Sequence, residues 1–146
     1  ALEKIIRSAL AEFGSHQPSL IQRFNQIDAL SGLYNKPGHR YLIAEQNQQV
    51  LGGAGVAPLD VEYNRVCELQ NMYLSHSARG LGIGRSLLAR LLQFARAEQY
   101  QYCYLETYAS MTQAQQLYRS LGFADLDTPW RQGDHQGCDR FFSMKL

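Results

Sequence analysis

Between Arg79 and Arg85 the chain reads RGLGIGR, with glycines at 80, 82 and 84 interleaved with Leu81 and Ile83. This stretch runs directly into SLLARLL, whose leucines recur at helical spacing. The first N–H groups of a helix have no partner inside it, and they carry the positive end of its dipole. Glycines let an anion approach that backbone closely, so the stretch reads as a cradle for phosphate. A turn that only packs a helix onto a sheet needs one such glycine, not three.

Two other phosphate loops fit less well. The P-loop requires a Lys after its last Gly, and none stands here. The dinucleotide fingerprint requires G-x-G-x-x-G, whereas Gly80, Gly82 and Gly84 give G-x-G-x-G. That fingerprint also needs an acidic residue about 20 positions on. Glu106 ends the next strand at about that distance, so spacing alone leaves a nucleotide fold open. Topology argues against it, because the first βαβ unit follows three strands instead of opening the chain.

The elements that must position the loop follow from periodicity. LEKIIRSALAEFG predicts a helix with Leu2, Ile5, Ile6, Leu10 and Phe13 near one face, ended by Gly14. PSLIQRFNQIDALSGLY predicts a second, with Leu20, Ile21, Phe24, Ile27 and Leu30 as its stripe. RYLIAEQ and QQVLGGAGVAPL predict two strands joined by a polar turn at Gln46 to Gln48. Gly52, Gly53 and Gly55 mark a bulge there or a backbone that something approaches closely. RVCELQNMYLS is the next strand. Strict alternation puts Val66, Glu68, Gln70, Met72 and Leu74 on one face and Cys67, Leu69, Asn71 and Tyr73 on the other. After the glycine loop a helix runs from about Gly82 to Glu98, with apolar positions 84, 87, 88, 91, 92 and 95. YCYLET is a strand, and TQAQQLYRSLGF is a helix closed by Gly122. A strand near Phe123–Leu126, a loop rich in Gly, Asp and His, and a last strand in CDRFFSMKL complete the order α α β β β α β α β β. This is an α/β pattern with a mixed sheet.

Composition narrows the classes. One domain is expected over 1–146, with no internal repeat or linker. Hydrophobic residues make up 45% and the net charge is +1. That composition fits a soluble globular protein, and no basic surplus points to nucleic acid or an anionic membrane. No apolar run approaches the ~18–20 residues of a membrane span, and no signal peptide is visible. Cys67, Cys103 and Cys138 are far apart and odd in number, so reduced thiols in a cytoplasmic protein are expected and no metal site is suggested.

The pattern R-x-x-G-x-G from Arg79 through Gly84 resembles the GNAT superfamily of acyl-CoA-dependent N-acyltransferases. CELQNMYLSHSARGLGIGRSLLARLL is similar to its central strand–loop–helix block. YLETYASMTQAQQLYRSLGF is similar to its second block, in the pattern A-x-x-L-Y-x-x-x-G-F. The two blocks cover Cys67 to Phe123, over a third of the chain. The resemblance implies a largely antiparallel mixed sheet flanked by helices, with a V-shaped opening between the two central strands. It also implies a strand before the first helix. The chain starts almost inside that helix, and residues preceding Ala1 are the expected explanation.

The resemblance further implies acetyl-CoA as acyl-donor cosubstrate. Its pyrophosphate is expected on the amides of Arg79, Gly80, Leu81, Gly82, Ile83, Gly84 and Arg85, with the Ser86 hydroxyl nearby. Arg79 or Arg85 reaches the 3′-phosphate, or either is a solvated arginine. The pantetheine arm is expected along the backbone of Met72, Tyr73 and Leu74, with Ala114 completing the cofactor wall. An N–H near Met72 would polarise the thioester carbonyl. An alkyl amine has a pKa near 10 and is mostly ammonium at pH 7, so a base must take its proton. Glu68 matches the family's glutamate base. It can equally be a pocket wall for a cationic acceptor or a partner for a nearby arginine. Tyr118 matches the family's general acid for the CoA thiolate. On periodicity alone it shares an apolar stripe with Ala114, Leu117 and Leu121 and can be a core tyrosine.

The acceptor pocket is expected from Tyr34, Asn35, His39, Tyr63, Trp130, Arg131, Asp134 and His135, with Glu106 and Thr107 facing it. His135 binds the acceptor, helps move a proton, or caps its loop. The expected acceptor is a small-molecule amine. A protein N-terminus or lysine, and a non-catalytic acyl-CoA-binding sensor, are the competing readings, with a dinucleotide-binding oxidoreductase behind them. A homodimer is a candidate assembly.

Overall fold

The computed structural model describes residues 2–14, 30–59, 65–133, 135 and 137–146. Most of the expected second helix lies outside these residues, as do Tyr63, Asp134 and the side chains of Leu10 and Phe13. The elements are α1 (Leu2–Gly14), α2 (Leu30–Leu33), β1 (Arg40–Gln46), β2 (Gln49–Leu59), β3 (Val66–Leu74), α3 (Ile83–Ala97), β4 (Tyr102–Thr107), α4 (Thr112–Ser120), β5 (Ala124–Leu126) and β6 (Arg140–Lys145). The six strands form one sheet in the order β1-β2-β3-β4-β6-β5. Only β3 and β4 pair in parallel.

The β1–β2 turn forms because Asn47 and Gln48 both take left-handed backbone, with φ of 50° and 65°. Positive φ at both central residues suits the right-handed twist of a hairpin. In α3, the stripe Gly84, Leu87, Leu88, Leu91, Leu92 and Ala95 is buried. It packs on Ala54, Val56, Cys67, Leu69, Cys103, Leu105, Phe142 and Met144 of the sheet. Burying each such leucine side chain stabilises the fold by roughly 1.5–3 kcal/mol. Tyr118 of α4 joins this cluster. Helix α4 ends where Phe123 N–H bonds the Tyr118 carbonyl and Gly122 N–H bonds that of Arg119, with Gly122 at φ 100°. That paired closure needs a left-handed residue, which glycine supplies. The opposite face carries α1, through Ile6 and Ala9 against Tyr73, and a cluster of Leu59, Val66 and Tyr104 covered by Trp130.

Alternation along β3 holds only to Gln70. The register runs Gly55↔Gln70 and then Gly53↔Tyr73, so β3 carries one residue more than β2 over this interval. Asn71 absorbs it with φ 50°. Beyond this bulge the faces exchange. Met72 and Leu74 join Leu69 on the α3 side, and Tyr73 joins Glu68 on the α1 side. The expected grouping of Met72 and Leu74 with Glu68 is corrected accordingly.

The second departure from regular pairing is at the centre. Strand β3 meets β4 only at Val66↔Tyr102, Cys67↔Cys103 and Glu68↔Tyr104. From there both strands continue without each other, β3 to Leu74 and β4 to Thr107. The result is an opening through the sheet at its middle.

Candidate active site

Two cavities meet in that opening. The larger, of about 870 Å³, is walled by Met72–Leu74, by the loop and helix mouth at Arg79, Gly80, Gly82, Ile83, Gly84 and Arg85, and by α4 through Ala114 and Tyr118. The smaller, of about 230 Å³, is walled by β3 from Glu68 to Tyr73, by β4 from Leu105 to Thr107 with Tyr108 after it, and by Arg131 and Cys138. Met72, Tyr73, Met111 and Tyr118 line both.

The helix mouth has the geometry that an anion site requires. Gly82 caps α3 with φ 77°, and no side chain caps the N-terminus. The first intrahelical bond runs from Ser86 N–H to the Gly82 carbonyl at 3.0 Å. The N–H groups ahead of it therefore have no helical acceptor. No acidic residue stands in the first turn to compete for them. The three glycines do different things. Gly80 and Gly82 need left-handed backbone, and a side-chain carbon on either would meet nothing within 4 Å. Gly84 is a packing glycine, since a Cβ there would lie 3.0 Å from Met72 and 3.2 Å from Leu117. This open, left-handed, uncapped backbone fits the diphosphate of acetyl-CoA.

Other expected donor-site residues are placed less uniformly. Leu81 is two-thirds exposed and Ser86 is exposed, and neither lines the larger cavity. Arg79 lines it while gripping Glu12 of α1 with two bonds of 2.8 Å. Its N–H is used by the preceding turn, on His76. Arg85 donates to Ser120 Oγ at 2.6 Å. Glu12 and His76 also wall this cavity, and no local sequence pattern marks them.

Tyr118 is 5% exposed. Phe123 and Phe142 hold its ring edge-on and tilted, at 6.0 and 5.8 Å. Its hydroxyl points at Met72 Sδ, 4.0 Å away, where the two cavities join. Burial raises its ionisation well above the usual phenol range. The phenol is therefore neutral and can donate.

Glu68 is 7% exposed and lines only the smaller cavity. Gln70 Nε2 donates to its Oε2 at 2.6 Å. Behind Gln70 a relay of bonds reaches the bulge. Tyr34 O–H donates to Gln70 Oε1 at 3.2 Å, Asn71 Nδ2 donates to Tyr34 at 3.1 Å, and Tyr41 O–H donates to the Asn71 carbonyl at 2.8 Å. The hairpin glycines make room for this relay. A Cβ on Gly55 would lie 2.5 Å from the Tyr34 ring, and one on Gly53 would lie 2.6 Å from Tyr41. Tyr34, expected at the pocket wall, stands behind β3 instead and braces it.

Glu106, Trp130 and His135 come together on the other side of the smaller cavity. The Glu106 side chain is 3% exposed. It accepts from Tyr104 O–H at 2.8 Å and lies 2.9 Å from His135 Nδ1 and 3.3 Å from Arg131 Nη2. Trp130 stacks on Tyr104 with centroids 5.6 Å apart and pins the loop that carries Arg131. Glu106 and Arg131 line the cavity, while Trp130 and His135 support it from behind. His39 bonds the Pro37 carbonyl away from the site. Among the described residues no group of three or more His, Cys, Asp or Glu is placed to hold a metal, and no helix is long and apolar enough to cross a membrane.

Comparison with known proteins bears on this site. The sequence pattern of the acetyltransferase (GNAT) family matches residues 2–123. The chain is 34% identical over 140 residues to the uncharacterized N-acetyltransferase YjgM of Escherichia coli, covering 95% of this chain and 84% of that protein. It is 34% identical over 103 residues to human N-acetyltransferase 8B, covering 69% of this chain but only 45% of that protein. A GNAT acetyltransferase of Staphylococcus aureus superposes with a TM-score of 0.83 at 22% identity, over 99% of this chain and 91% of that one. The protein yncA of Salmonella typhimurium, solved with its cofactor acetyl-CoA, superposes with a TM-score of 0.69 at 21% identity, over 99% of this chain and 86% of that one. The chain belongs to the GNAT acetyltransferase family and is an acetyl-CoA-dependent N-acetyltransferase.

Proposed function

We propose that the chain, as one domain, transfers acetyl to the amine of a small molecule by direct attack. Glu68 serves as base and Tyr118 as acid. The observation that carries this reading is the meeting of the two cavities at Met72 and Tyr118, with the anion cradle on one side and Glu68 on the other. Acetyl-CoA supplies an activated acetyl thioester. The loop amides hold its phosphates, and the edge of β3 from Leu69 to Leu74, which β4 does not pair, offers backbone groups along the opening.

Glu68 takes a proton from the acceptor ammonium, directly or through a water, and leaves a nucleophilic amine. Next to the left-handed bulge at Asn71, Met72 lines both cavities, and its N–H serves to oppose charge developing on the carbonyl oxygen. Tyr118 gives its proton to the departing sulfur. The small cavity of about 230 Å³ suits a compact acceptor better than a polypeptide segment.

Calorimetric titration with acetyl-CoA, followed by thiol release over an amine panel, tests the reading. Binding with turnover supports it. Binding with no turnover on any small amine overturns the small-molecule acceptor. Absence of binding overturns the donor site at Arg79–Arg85.

A further inference from the structure

The smaller cavity has one cation among its described lining residues, Arg131. Its guanidinium is only loosely engaged. Nε and Nη2 reach Glu106 at 3.4 and 3.3 Å, longer than the 2.7–2.9 Å of a close charge-assisted bond. Glu106 has closer partners in Tyr104 and His135. Nη1 of Arg131 has no protein partner among the described residues. The side chain is 31% exposed, and the cavity is the space it faces.

A guanidinium presents its donors in a rigid planar fork, which matches a carboxylate. Here one edge of the fork rests loosely on a buried carboxylate and another is offered to the cavity. Trp130, stacked on Tyr104, fixes the loop at the preceding residue. Alternation puts Glu68, Tyr104 and Glu106 on one face of the sheet, so Glu68 and Arg131 look into the same small space. The space is thus lined by the Glu68 carboxylate on one side and by a guanidinium with a donor to offer an anion on the other.

We propose that the acceptor carries a carboxylate as well as an amine, so that its class is a small amino acid, and that Arg131 binds the carboxylate through Nη1. Glu106 is a positioning residue that aims Arg131. The inference rests on the reading of the smaller cavity as the acceptor site. It goes beyond that reading in naming the second charge of the acceptor.

The experiment is thiol release from acetyl-CoA on matched sets of acceptors: amino acids, their carboxamides, the plain amines without the carboxylate, and the aminophosphonates. The expected result is a kcat/KM for amino acids roughly 10²-fold or more above that of the matched amides and amines. Arg131→Gln is expected to shrink this preference to a few-fold, acting through KM. Trp130 is the only tryptophan in the chain and adjoins Arg131, so its fluorescence gives a second readout. Binding of an N-acetylated amino acid to the CoA-loaded protein is expected to change that fluorescence, and the Arg131→Gln variant to lose the response. Equal use of amines and amino acids overturns the proposal, as does preference for the amides or the phosphonates. Turnover of none of the four sets, with acetyl-CoA bound, overturns it too. Failure of acetyl-CoA to bind is a different result, and it strikes the donor-site reading instead.

Discussion

Tyr118 and Glu68 are both nearly buried, yet they face different spaces, and this separates their tests. Burial keeps the Tyr118 phenol neutral beyond its ordinary pKa of about 10. Because its ionisation is raised, the acid form persists as pH rises, and Tyr118 contributes no falling limb to kcat below about pH 10. A kcat profile that falls between pH 8 and 9.5 in the wild type but not in Tyr118→Phe would overturn this. Tyr118→Phe is expected to lower kcat by roughly 10–10³-fold with little change in Tm. Glu68→Gln is expected to lower activity most at neutral pH and to recover part of it at alkaline pH, where more of the acceptor is free amine. Parallel profiles for the variant and the wild type would show that Glu68 is not the base. At this scale the sequence alone exposes the loop glycines through their spacing, whereas the roles of Glu68 and Tyr118 depend on resemblance. The junction of Arg131 and His135 with Glu106 is invisible to local pattern, because the two reach it only when the loop folds back over β4.

At the scale of elements, the bulge in β3 decides which side chains face which cavity. Sequence periodicity reads β1 and β4 to their ends and the buried stripe of α3 position by position. It misreads the faces at Met72 and Leu74, because a single left-handed residue reverses everything after it. Asn71 is a residue type that tolerates that conformation, but Asn within a strand pattern is no signal on its own. The hairpin glycines carry the complementary information, since Gly53 and Gly55 leave space for the two tyrosines that hold the bulge. Tyr34→Phe keeps the ring and removes the hydroxyl that joins Asn71 to Gln70. We expect kcat/KM to fall roughly tenfold, equivalent to about 1.4 kcal/mol, with the pH profile of the Glu68 limb displaced. A Tyr34→Phe enzyme with unchanged kcat/KM and profile would show that the relay does not position Glu68.

For the whole molecule, the order of elements and the mixed sheet are legible in the sequence. The central opening is not legible from periodicity, since strands that pair and strands that part have the same pattern. A ligand that binds only the folded chain raises its stability by mass action. Acetyl-CoA at 100 times its Kd adds about 2.7 kcal/mol, which for a chain of this size raises Tm by roughly 5–11 °C. Gly82→Ala places a residue with a Cβ at φ 77°, which costs about 1–2 kcal/mol in the apoprotein. It is expected to lower Tm and also to reduce the acetyl-CoA-induced rise. An undiminished rise would show that the helix mouth does not hold the phosphates. The seam between β3 and β4 has only three rungs, against the seven that join β1 to β2. In mechanical terms the sheet is two plates on a short flexure. An occupant of the gap meets both plates, β3 on one side and β4 on the other, and so loads that flexure with torque.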